Sequence, residues 1–62
     1  MIDIMIFQEM FDTATRREQV VIGLYFYHGY KQREISWLLG ISQQRVSQLK
    51  RRAIEKYRSY VK

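Results

Sequence analysis

The sequence predicts an all-α domain of four helices. Three observations carry that prediction. Apolar residues recur three and four apart in four separate segments, the spacing of one helix face. Capping residues and glycines punctuate those segments at their ends. No proline interrupts any of them. At 62 residues the chain holds a single domain, 1–62. A chain of this length buries only about 60% of its unfolded surface, so the core must be small.

The first helix is expected over residues 2–12, with Ile6, Phe7, Met10 and Phe11 at helical spacing. Thr15 is a fitting N-cap for the second, and Glu18 three residues on completes a capping box. That helix runs from about Arg16 to His28. Gly29 supplies the left-handed residue that stops it. His28, near the helix C-terminus, suits the dipole there better than it suits catalysis. The third helix spans about Gln32 to Leu39. Gly40 ends it, Ile41 plugs the corner and Ser42 caps the last helix, from Gln43 to about Tyr60.

Residues 31–60 have the layout of a helix-turn-helix. Ile35 and Leu39 should face inward from the first helix of the pair. Ser36 is small where two helix axes must approach. Gly40 permits the tight turn, and Ile41, Val46 and Leu49 lock the second helix across the first. On a helical wheel at about 100° per residue, that second helix has two faces. Val46, Leu49, Ala53 and Tyr57 fall on one side, fit to pack on a core. Gln44, Ser47, Gln48 and Arg51 fall on the other. Amides and guanidinium groups are the side chains that read base edges in a DNA major groove.

Composition narrows the function further. A hydrophobic content of 47% argues against disorder. With no cysteine and one histidine, disulfides and a structural zinc site are remote. No nucleophile–base pair or carboxylate dyad is recognisable, so neither an enzyme nor a cofactor is expected. The apolar start carries Asp3 and lacks a basic leader, and no apolar run is long enough to span a membrane. Residues 1–30 carry two basic and four acidic side chains, a balance of −2. Residues 31–62 carry nine basic and two acidic, a balance of +7. A basic half beside an acidic half points to a polyanion met by one side only.

The recognition helix therefore offers Gln43, Gln44, Ser47, Gln48 and Arg51 as base-reading candidates. Gln pairs bidentately with adenine, Ser pairs with several bases, and Arg51 suits guanine or phosphate. Arg45, Lys50, Arg52 and Lys56 flank that face at angles suited to the phosphate backbones.

Four stretches also carry a family resemblance. They are Arg17-Glu18-Gln19-Val20-Val21-Ile22-Gly23-Leu24, then His28-Gly29-Tyr30, then Arg33-Glu34-Ile35-Ser36-Trp37-Leu38-Leu39-Gly40-Ile41-Ser42, and Arg45-Val46-Ser47-Gln48-Leu49. In order and spacing, over about residues 5–60, the chain resembles region 4 of bacterial sigma factors. The resemblance implies a four-helix domain that recognises the promoter −35 element and docks on the flap of the RNA polymerase β subunit. It places base reading on Gln43, Gln44, Ser47 and Gln48. It places backbone binding on Lys31, Arg33, Arg45 and Arg52.

The chain departs from that family in four ways. Gln44 stands where housekeeping members often have glutamate, so a different base is expected there. Lys31 replaces the usual Ser or Thr N-cap, at a cost of about 1 kcal/mol. Thr13-Ala14-Thr15 replaces a Leu-Pro pair. No region 2 is present, so the sequence is either an excised domain or a free-standing regulator.

Residues 1–29 are expected to serve partners. Val20 to Tyr27 is apolar all the way round, and Val21, Leu24 and Tyr27 form its expected core stripe. Val20, Ile22, Tyr25 and Phe26 are then left over, with Ile2, Ile4 and Met5 adding to the excess. Either a protein partner or the first and last helices cover them. Trp37 is either a partner anchor or packs on the last helix.

The reading is a DNA-binding transcription regulator that binds double-stranded promoter DNA and RNA polymerase or another regulator. It would be cytoplasmic, nucleoid-associated and encoded by a bacterium, phage or plasmid. Two alternatives stay open. One is a protein-interaction module of the same fold that binds polymerase or a sigma or regulatory partner without sequence-specific DNA reading; a homo- or hetero-oligomer stays open in every case. The other is a dimeric helix-turn-helix repressor.

Overall fold

The computed structural model describes residues 3–61. Four α-helices follow one another: α1 (Ile4–Thr13), α2 (Arg16–Ile22), α3 (Gln32–Leu39) and α4 (Gln43–Val61). A π-helical turn, Gly23–Tyr27, extends α2. There is no strand among the described residues.

The ends of these helices have local causes. Asp3 caps α1 by accepting the Met5 N–H at 2.8 Å. The expected capping box of α2 forms in full: Thr15 Oγ1 accepts the Glu18 N–H at 3.3 Å, and Glu18 Oε1 accepts the Thr15 N–H at 3.0 Å. At α3 only half a box forms. Glu34 Oε1 accepts the Lys31 N–H at 2.8 Å. The reciprocal bond is missing because a lysine ammonium has no acceptor. Ser42 caps α4 through the Arg45 N–H at 3.0 Å.

Both expected glycine stops hold, with φ of 78° at Gly29 and 67° at Gly40. At the second, the Ile41 N–H closes back on the Ser36 carbonyl at 3.1 Å, the six-residue closure of a Schellman stop.

The core is two apolar clusters that share α2 and α4. Phe7, Met10, Ile22 and Ala53 form one, flanked by Phe11, Phe26, Ile54 and Tyr57. Val21, Ile35, Val46 and Leu49 form the other, flanked by Leu24, Tyr25 and Ile41. Helix α4 contributes to both clusters and so serves as the spine of the domain. Ser36 is buried at the α3 contact as expected, and its hydroxyl donates to the Arg33 carbonyl at 2.8 Å.

Four expectations need correction. Ile22, assigned to a partner surface, is 0% exposed. α2 lies between the two clusters, so adjacent residues Val21 and Ile22 are each buried by a different one. Tyr27, assigned to the core, is 64% exposed. The continuous α-helix expected to His28 gives way to the π turn, in which the His28 N–H reaches the Gly23 carbonyl at 3.1 Å. A wider turn displaces every later side chain from its α-helical face. Phe26 then packs toward Phe7 and Met10, and Tyr25 toward Ile35 and Val46. Leu39, expected to face inward, is exposed, because α3 buries only Ile35 and Ser36. Ile2 lies outside the described residues.

Candidate nucleic-acid interface

With Val46, Leu49 and Ala53 committed to the core, helical periodicity turns the opposite face of α4 outward. Gln44, Ser47, Gln48 and Arg51 come together there, as their spacing requires. With Ser42 and Arg45 they line one shallow concavity. Gln43 is exposed in the first turn but does not line it.

The basic residues separate into two kinds. Arg45 was assigned to phosphate, yet it sits within the concavity, where its guanidinium Nη1 donates to Gln48 Oε1 at 2.6 Å. Lys56 turns away from the face to pair with Glu18 at 2.9 Å. Burial pushes the Glu18 carboxyl up, but the Thr15 amide and the Lys56 ammonium outweigh it and hold the group below its usual range. The Lys50 ammonium stands 4.3 Å above the Tyr25 ring, and the Arg33 guanidinium 5.6 Å from the Trp37 ring. Lys31, Arg51, Arg52 and Arg58 are exposed.

Sequence reasoning missed the Arg45–Gln48 contact, although its signal was present. Residues three apart on a helix are neighbours, and an arginine and a glutamine at that spacing can bond. It also missed Ser42 as a wall of the concavity, having assigned that residue to capping alone.

The apolar surface agrees with the expected one at Val20, Ile4, Met5 and Trp37, and differs elsewhere. Val20 is exposed, but Tyr25 and Phe26 are half-buried. Exposed apolar residues also include Ile4 and Met5 on α1, Trp37 and Leu38 on α3, Tyr27 after α2 and Tyr60 on α4, with Trp37 70% exposed. Trp37 is therefore not buried against α4. Val20, Leu39, Ile41 and the stem of Arg17 line a small hollow beside the turn.

Helices α3 and α4, joined by a left-handed glycine with a polar, basic face outward, define a helix-turn-helix domain of the DNA-binding, transcription-regulating kind. Residues 11–59 match the family described as Sigma-70, region 4, and the chain belongs to that family. No curated protein and no solved structure matches the chain. No helix among the described residues is long and apolar enough to cross a membrane.

Proposed function

We propose that this domain recognises a −35-like promoter element by inserting α4 into the major groove. Gln43, Gln44, Ser47, Gln48 and Arg51 read base edges, while Lys31, Arg33, Lys50 and Arg52 hold the phosphates. The observation that carries this reading is the concavity of Gln44, Ser47, Gln48 and Arg51 on the face opposite the buried Val46, Leu49 and Ala53. A major groove about 12 Å wide admits a helix presented in this way. Among the described residues, none of Lys31, Arg33, Lys50 and Arg52 is in an ion pair, so their charge is available to a polyanion.

The same domain contacts RNA polymerase, through its β flap, or another regulator. The exposed apolar residues of α1 and α3 support that part of the reading. The direct test is binding to −35-like duplexes with each base pair varied. Gln44→Ala and Gln48→Ala should each change the preferred base at one position. Unchanged preferences in both variants would show that α4 does not read DNA with this face.

A second reading rests on exposed Trp37, Leu38, Ile4 and Met5. In it the domain binds a protein partner without reading DNA. Salt separates the two. With about four phosphates neutralised, log K for DNA should fall against log salt with a slope of about −3.6, whereas an apolar protein contact should resist salt.

A further inference from the structure

The Arg45–Gln48 pair changes what the reading face can recognise. A glutamine pairs bidentately with adenine by accepting from N6 at Oε1 while donating to N7 from Nε2. Here Oε1 already accepts from the Arg45 guanidinium at 2.6 Å. Both side chains line the same concavity, so the contact lies within the surface that would meet base edges. An adenine amino group approaching the remaining lone pair of Oε1 would meet a guanidinium beside it, a donor facing a donor. The pair is left presenting the Gln48 amide N–H groups and the other guanidinium N–H groups, all of them donors. Guanine offers acceptors at both N7 and O6, and cytosine offers a donor.

We infer that Arg45 is a specificity-determining residue: by holding the Gln48 carboxamide oxygen it makes this part of α4 select guanine over adenine. The inference rests on the proposed insertion of α4 into the major groove. It gives Arg45 a role distinct from phosphate binding, because a phosphate contact strengthens all sequences alike.

The test is selection of bound duplexes from random DNA with the full 62-residue chain and its Gln48→Ala, Arg45→Ala and Arg45→Met variants. Arg45→Met keeps an apolar stem where alanine would leave a gap. Gln48→Ala identifies the base pair that Gln48 reads, as the position whose preference disappears. The wild type should enrich guanine there. Both Arg45 variants should move that position toward adenine, with the guanine-to-adenine ratio changing by about tenfold, the scale of one bidentate pair. The inference is overturned if the wild type already prefers adenine. It is also overturned if both Arg45 variants keep guanine and merely bind every sequence more weakly. If Gln48→Ala changes no base preference, the reading face itself is misassigned, and the role of Arg45 falls with it.

Discussion

The Lys56 ammonium lies 2.9 Å from Glu18 Oε1, across a sequence separation of 38 residues. The same oxygen accepts the Thr15 N–H at 3.0 Å. One carboxylate oxygen thus closes the start of α2 and ties α2 to α4. The helix that would enter DNA is fixed to the N-terminal half through a capping residue.

That arrangement makes stability depend on acid. Folding lowers the Glu18 pKa, so the folded state holds its proton less tightly than the unfolded chain. The resulting stabilisation is complete above the ordinary glutamate pKa of about 4.3 and disappears as pH falls through the lower folded value. Thermal melts at pH 7 and below pH 4 should show a smaller loss of Tm on acidification for Glu18→Gln than for the wild type. Equal losses would remove Glu18 from the acid response.

Ile22 and Val20 are two residues apart on α2, and the structure predicts opposite outcomes for them. Ile22 is 0% exposed within the cluster of Phe7, Met10 and Ala53, so Ile22→Ala should cost about 2–5 kcal/mol. In so small a domain that removes most of the stability. Val20→Ala, at an exposed position, should stay within about 0.5 kcal/mol. Urea denaturation of both variants checks the contrast. Similar losses would place Ile22 on the surface.

Gly40→Ala should destabilise by about 1–2 kcal/mol, because φ of 67° is costly for a residue with a Cβ. No atom lies within 4 Å of the added Cβ, so the cost is conformational and not steric. Gly40→Asn should recover part of it, since Asn tolerates the left-handed region. The two Tm values, compared with wild type, test this. Equal Tm values for the two variants would argue against a backbone origin.

Lys50→Ala should weaken binding to all duplexes by a similar factor. It should also reduce the salt slope by about 0.9, the share of one phosphate. Tyr25→Leu removes the ring 4.3 Å from the Lys50 ammonium and should loosen the same contact without changing the preferred sequence. Binding titrations at two salt concentrations read both effects. A changed base preference in either variant would move Lys50 into the reading set.

Much of this is legible in the sequence. The box at Thr15 and Glu18, the stops at Gly29 and Gly40 and the cap at Ser42 involve residues within a few positions of one another. Their partners are set by chain geometry. The two faces of α4 follow from a helical repeat applied to a patterned segment, and the same repeat brings Gln44, Ser47, Gln48 and Arg51 together.

The stretch from Ile22 to Tyr27 was not legible in this way. It is apolar on every side, so periodicity could not say which residues face the core. Two clusters meeting at α2 buried Ile22, and the π turn placed Phe26 and Tyr25 inward and Tyr27 outward.

By itself, then, the sequence determined four helices, the ends set by Thr15, Gly29, Gly40 and Ser42 and a two-faced last helix, because caps, glycine conformations and helical spacing act within one turn or two. The tertiary structure alone decided that Lys56 serves Glu18, that Ile22 is core and that Tyr27 and Leu39 face outward. Those outcomes depend on which distant helices meet, and local pattern carries no information about a neighbour 38 residues away.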